Sequence, residues 1–335
     1  MKIRSALAGA ILSAVALLAA PLAAPGAEAV TLTLNFTPYG LHFGPAVAKE
    51  KGLYAKEGLD VEILRGYGSG ESVKRAALGT TTFAMADAAS VIFGRDKGLA
   101  TKQIATVLDK SSDVVYYRKE SGIKAPKDLE GKQMGMATAE SHLMLLPVFA
   151  KKAGFDPAKI QMVTMTSAAK IPSLMAGKID AMMTFVTEEP NIVSAASKSK
   201  TEWGRILFAD YGVENYSIGI IASDALMKSN PALVKKFVNA TMAGYALAVS
   251  DPEMAADAFI KQFPESSREL VLAQWKIVAG QLVTEVAKQK GLGYMTEEKM
   301  AATIDLIKAN SKLENDIKPR DVYTMEFLEP QFPRK

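Results

Sequence analysis

Short apolar–polar alternations separated by helical spacings run through the first two thirds of the chain. Val30, Leu32, Leu34 and Phe36 alternate with polar neighbours, the period of a strand with one buried face. Leu59-Asp60-Val61-Glu62-Ile63 repeats the pattern, and residues 43–57 between them fit a helix that ends at Gly58. Phe83–Ala86 and Ile104–Leu108 are the next strand candidates, with a helix between them ending near Gly98. A second block begins near Val114. Its strand candidates are Val114–Tyr117, Gln133–Ala137, Ile160–Met165, Ile179–Phe185 and Arg205–Phe208. Helices are expected over 141–153, 168–176 and 189–198, with kinks or late starts at Pro147 and Pro172. This alternation, which continues to about Ser223, predicts an α/β fold with mainly parallel sheets covered by helices.

From Asp224 the pattern turns helical, over 231–249, 252–263, 267–288 and 296–310, and Val322–Leu328 reads as extended. Ser229-Asn230-Pro231 supplies a cap followed by proline in the first turn. Residues 61–85 align without gaps on 159–183, a shift of 98. Ser69 meets Ser167, Gly79 meets Gly177, and Ala84-Met85 meets Met182-Met183. Each copy runs strand, polar turn, short helix, glycine, strand. Two lobes on one plan, able to close on a ligand by a hinge, would produce this echo.

The N-terminus departs from this scheme. Lys2 and Arg4 precede an apolar run from Ala6 to Ala24, followed by Ala27-Glu28-Ala29. This is the pattern of a cleavable secretory leader, with the cut expected after Ala29. Pro21 and Pro25 argue against a membrane anchor. The mature chain would hold 335 − 29 = 306 residues. The chain has no cysteine, which excludes disulfides, a thiolate nucleophile and a cysteine metal site. It also excludes a lipid anchor built on an N-terminal cysteine. A bacterial periplasm is the expected location. Removing Lys2, Arg4 and Glu28 leaves 38 basic and 35 acidic residues, or +3, too balanced for nucleic-acid binding.

Ligands of open α/β sheets bind beyond the carboxyl ends of strands, near helix N-termini. After the first strand, Tyr39 offers a stacking face and His42 a donor or acceptor, although a lone histidine often serves packing. Gly68-Ser69-Gly70 exposes backbone N–H groups at a helix start, with the Ser69 hydroxyl beside them. It lacks the Lys-Ser/Thr ending of a nucleotide phosphate loop. Asp87 is a helix cap or a cleft acceptor. Thr138, Ser141 and His142 open a second-lobe helix. Capping accounts for Ser141 but not for all three. Glu188 and Glu189 offer a carboxylate to an amino group or ring N–H, or favour a helix dipole. Tyr216 is a further aromatic wall. No hydrolase triad and no clustered metal spacing stand out, so neither catalytic residues nor cofactor nor metal are expected.

The segment from Leu34-Asn35-Phe36-Thr37-Pro38 through His42-Phe43-Gly44-Pro45 and Gly52-Leu53-Tyr54 to Val61-Glu62-Ile63 resembles the opening of NitT/TauT-type substrate-binding proteins. Within that class it is most similar to the branch binding thiamine-pyrimidine precursors. Asp128-Leu129-Glu130-Gly131-Lys132, Met175-Ala176-Gly177-Lys178-Ile179-Asp180-Ala181 and Val322-Tyr323 extend the likeness over nearly all of 30–328. Phe36, where that branch commonly has tryptophan, and Tyr39-Gly40-Leu41 depart from it.

The resemblance implies a type 2 periplasmic-binding-protein fold with two Rossmann-like lobes around a ligand cleft. Lobe I would combine 30–112 with 220–335, and lobe II would be 113–219. It implies ligand roles for His42, Ser69 and one of Glu188 and Glu189. It also implies a monomeric periplasmic subunit of an ABC importer, not an enzyme, that hands a small solute to an inner-membrane permease. The solute would be pyrimidine-precursor-like, or a sulfonate, nitrate or aromatic acid. The alternatives are an enzyme of pyrimidine-precursor synthesis on the same fold and a soluble sensor that presents ligand to a receptor.

Overall fold

The computed structural model describes residues 26–137 and 140–333. Most of the expected leader therefore lies outside the described residues. The first strand, β1, spans Glu28–Thr33. Glu28 is already engaged there, donating its N–H to Gly58 O and accepting from the Asn230 amide at 3.1 Å. A cut after Ala29 would fall two residues inside this strand.

The other strands are β2 Leu59–Leu64, β3 Phe83–Asp87, β4 Thr101–Thr106, β5 Asp113–Arg118, β6 Gln133–Met136, β7 Gln161–Thr164, β8 Ala181–Phe185, β9 Trp203–Leu207 and β10 Ile218–Ser223. They form two five-stranded sheets, ordered β2-β1-β3-β10-β4 and β7-β6-β8-β5-β9. In each sheet four strands share one direction and the fourth in order is antiparallel to both its neighbours. In the first sheet that fourth strand is β10, which follows all of the second sheet in sequence. In the second it is β5, which follows the first four strands. The chain therefore crosses between lobes at residues 107–112 and 208–217. Phe208 N donates to Asp113 O, and Ser217 N to Leu108 O, so the two crossings are tied together.

The 98-residue echo is structural. Helices Ser69–Ala77 and Ser167–Met175 are offset by 98 at both ends, as are β3 and β8. Gly79 and Gly177 turn the chain with φ of 69° and 68°, a left-handed conformation that glycine adopts without steric cost.

Four expectations need correction. The helix expected over 43–57 is two, Phe43–Glu50 and Leu53–Lys56, parted where Gly52 turns left-handed with φ 66°. β10 carries no alternation because all six residues are buried, which hides its period. The helix expected over 267–288 is two, Arg268–Leu282 and Glu285–Lys290. The break occurs because Thr284 takes extended backbone and caps Ala287 N, while its hydroxyl donates to Asp109 at 2.7 Å. Finally, the tail over 322–328 makes one isolated bridge, Gln103 with Tyr323, and not a strand. Pro147 and Pro172 both lie inside helices that run on past them.

The first lobe is packed around rings. Phe43 stacks on Trp275 at 5.1 Å, and Phe83 on Phe237 at 3.9 Å. Helix Phe43–Glu50 lies against the long helix Pro231–Ser250 with glycine on both sides. A Cβ at Gly244 would lie 2.2 Å from Gly44 O, and one at Gly44 2.3 Å from the Tyr245 ring. A Gly244→Ala change should therefore cost about 1–3 kcal/mol by overpacking, read as a lower denaturation midpoint with an unchanged m-value.

Candidate functional site

The tips of the parallel strands of both sheets meet at one cavity. From the first lobe it is lined by Asn35, Phe36, Tyr39, Gly68 and Ser69. From the second come Glu140, Ser141, His142, Thr184, Phe185 and Glu188. Its volume is about 20 Å³, room for about one water. A larger, open groove of about 730 Å³ runs between helix Glu189–Ser199 and helix Arg268–Leu282, beside Glu189, Val193, Leu270 and Ile277. The inner cavity is the better site, because it gathers buried polar groups from both lobes.

On the first-lobe side, the chain leaving β1 tightens into a short 3₁₀ turn over Gly40–His42. Tyr39 N–H donates to His42 Nδ1 at 3.2 Å. Nδ1 is thus an acceptor, and Nε2–H donates to Asn35 Oδ1 at 2.9 Å. Burial holds the ring neutral, lowering its pKa to about 3. The Tyr39 ring sits edge-on against it, centroids 4.7 Å apart. The Tyr39 hydroxyl is buried beside the Asn35 and Thr187 side chains and makes no well-formed hydrogen bond among the described residues, and burial pushes its pKa well above the usual phenol value. Ser69 Oγ accepts from Asp87 N at 3.1 Å.

On the second-lobe side, Glu140 and Lys170 form a buried ion pair at 2.5 Å. Lys170 also donates to Met183 O at 2.8 Å, and Glu140 accepts from Ala137 N and the Ser167 hydroxyl. Lys170 is thereby committed, and none of the described lining residues is a lysine or arginine. His142 packs edge-on against Phe185 with centroids 4.5 Å apart. Its Nδ1 meets Asp113 Oδ1 at 2.6 Å, and burial lowers its pKa to about 4. Glu188 accepts from the Asn191 amide at 2.7 Å, and burial raises its pKa.

Of the residues singled out in the sequence, Tyr39, Ser69, Ser141, His142 and Glu188 line the cavity. Thr138 lies outside the described residues. The other four do not line it. His42 is fully buried behind Tyr39 and Asn35, which it orients. Asp87 is a buried helix cap, accepting from Ala89 N at 2.8 Å and from the Ser217 hydroxyl. Glu189 faces outward, paired with Arg205 and with the Tyr116 hydroxyl. Tyr216 packs at the crossing, its hydroxyl accepting from Thr296 N and its ring facing Lys299. Ser141 occupies the cap position of its helix, but its hydroxyl makes no capping bond. Gly68 belongs to the glycine-serine-glycine turn the sequence offered, but sequence reasoning did not single out Asn35, Phe36, Glu140, Thr184 or Phe185 as ligand contacts. Their position just past strand ends was the available signal for most of them.

A family model described as NMT1/THI5 like matches residues 40–255. Riboflavin-binding protein RibY of Chloroflexus aurantiacus is 27% identical, over 92% of this chain and 88% of its own. Formylaminopyrimidine-binding protein of Halalkalibacterium halodurans is 23% identical, over 89% and 90%. The 4-amino-5-hydroxymethyl-2-methylpyrimidine phosphate synthase THI13 of Saccharomyces cerevisiae is 25% identical, over 74% and 75%. Among solved structures, the periplasmic aliphatic sulphonate binding protein SsuA of Escherichia coli superposes with a TM-score of 0.66 at 16% identity. That match covers 92% of this chain and 94% of that one. The fold is thus that of the periplasmic binding proteins, as the sequence resemblance implies.

Two consequences can be measured. Lys170→Met strands the Glu140 carboxylate in the interior and should cost about 3–5 kcal/mol of stability. Adding Glu140→Gln should recover part of that loss in a double-mutant cycle by denaturant unfolding. The second concerns Asp87 and Asp113, whose carboxyls are raised to about 8 and about 7 by burial, with Asp113 adding to the rise at Asp87. The folded chain then holds these protons where the unfolded chain has released them. Their contribution is complete below the ordinary carboxylate pKa and is lost as pH rises to about 8. The two lowered histidines act in the opposite sense, but only below their ordinary value of 6.5. Unfolding free energy should therefore fall between pH 6.5 and 8, by about 1–2 kcal/mol. Asp87→Asn, which can keep the Ala89 and Ser217 bonds, should flatten that decline.

Proposed function

The chain belongs to the NMT1/THI5-like family, and from that premise we propose that it is the periplasmic solute-binding subunit of an ABC importer. It captures a small solute by closing two lobes over it and delivers it to the inner-membrane permease. The lobes are taken to divide near residues 113 and 219, with the leader removed on export. The observation that carries this reading is the cavity, walled from both lobes by strand-tip residues. Closing a hinge completes such a site from two halves. Relatives described as riboflavin-binding and formylaminopyrimidine-binding support it.

The lining chemistry favours an uncharged or cationic heteroaromatic solute over an anion. Phe36, Tyr39, Phe185 and His142 offer ring surfaces, and Glu188 offers a carboxylate. No described lining residue offers a free cation for a sulfonate or nitrate, since Lys170 is held by Glu140. The second reading, a synthase of the pyrimidine precursor, draws its support from the yeast relative.

The test is thermal unfolding against riboflavin, formylaminopyrimidine, alkanesulfonates and nitrate. A heteroaromatic compound should raise the melting temperature and be recovered unchanged. Phe36→Ala should weaken its binding about tenfold or more, whereas Glu189→Gln, on the outer surface, should not. Consumption of the compound would favour the synthase, and a shift given only by the anions would overturn the solute class.

A further inference from the structure

The chain has two histidines, and both are buried beside the cleft with Nδ1 held by the protein. Their surroundings differ. At His42 the partner of Nδ1 is a backbone N–H, which can only donate. That ring must carry its proton on Nε2, where Asn35 Oδ1 accepts it at 2.9 Å. At His142 the partner of Nδ1 is a carboxylate oxygen, Asp113 Oδ1, at 2.6 Å. The ring lines the cavity, and its Nε2 has no partner among the described residues.

Asp113 does not line the cavity. It is the first residue of β5, directly after the first crossing between lobes. Its carbonyl accepts from Phe208 N on the second crossing, and it stands opposite Phe185 in the sheet. Its other carboxylate oxygen, Oδ2, is buried without a partner among the described residues. The backbone of Asp113 is thus fixed by both crossings, while its side chain grips a ring in the cleft.

We propose that Asp113 is the positioning residue for His142: it holds the ring as the Nδ1–H tautomer, turns a bare Nε2 lone pair toward the cleft, and so requires the solute to bring an N–H or O–H donor there. This deepens the reading of the cleft as a solute site and rests on it. Anions without such a donor, nitrate and alkanesulfonate among them, are refused by the ring as well as by the absence of a free cation among the described lining residues. A ring N–H, an exocyclic amine or a hydroxyl is accepted. The titratable groups facing this pair are Asp87 at the end of β3, Glu140 and Lys170 in their ion pair, and Glu188 across the cavity. Burial raises the Asp113 carboxyl, and Asp113 in turn adds to the rise at Asp87, so a proton on these carboxyls stays within reach of neutral pH.

Because there are only two histidines, labelling the protein with [15N]histidine resolves the question without any ligand. At pH 8 the long-range 1H–15N spectrum should contain one ring of each neutral tautomer, Nε2–H for His42 and Nδ1–H for His142, assigned with a His142→Gln variant. As pH falls from 8 to 6, the His142 signals should move as a proton enters the pair, while those of His42 stay fixed. Asp113→Asn should raise the Nε2–H fraction at position 142 and weaken riboflavin or formylaminopyrimidine binding about tenfold at pH 8. Two Nε2–H rings in the unaltered protein at pH 8 would overturn the assignment, as would tight binding of methanesulfonate. If neither heteroaromatic compound binds, the choice of solute fails, yet the tautomers still decide the role of Asp113.

Discussion

The first sheet lacks one strand until the chain has built the whole second sheet. β10 completes the first sheet only after the second has been built, and β5 starts the second only after leaving the first. This exchange fixes two crossings side by side, bonded through Phe208 to Asp113 and Ser217 to Leu108. With the crossings pinned, the parallel strands of both sheets point their carboxyl ends at the same gap. The cavity follows from that topology. The helical C-terminal portion then locks the first lobe, chiefly through Phe43, Trp275, Tyr245 and Phe237.

The same geometry explains why the polar groups of the cleft are arranged in short chains. A buried donor or acceptor without a partner costs free energy, and a buried charge costs more. Glu140 is answered by Lys170, Asp87 by Ser217 and Ala89, and His42 by Asn35 and Tyr39. The atoms left over are informative. Tyr39 Oη and Asp113 Oδ2 are buried and unpaired among the described residues, one at the wall of the cavity and one behind the ring of His142.

Much of this was legible in the sequence, for local reasons. The echo between 61–85 and 159–183 is carried by paired glycines with the same left-handed φ and by strands and helices of equal length. Strand tips located Ser69, Ser141, His142 and Glu188 because tip residues precede helices. What the sequence did not disclose was which way a tip residue turns. Tyr39 and His42 are three apart on one turn, yet one meets the cavity and the other props it. Glu188 and Glu189 are adjacent, yet a proline-started helix sends the second outward to Arg205. The pairing of Glu140 with Lys170 spans 30 residues and leaves no local trace. β10 was missed for the opposite reason, since a strand buried on both faces has no period to read.

The tightness of the gap bears on the order of events in capture. A space of about 20 Å³ admits no organic molecule, so a guest has to arrive while the walls stand apart. Molecules that shut ahead of arrival are withdrawn from the competent pool. The apparent dissociation constant then exceeds the intrinsic one by the reciprocal of the open fraction. Selection for avid uptake therefore acts on the resting balance of the hinge as much as on the residues that touch the guest.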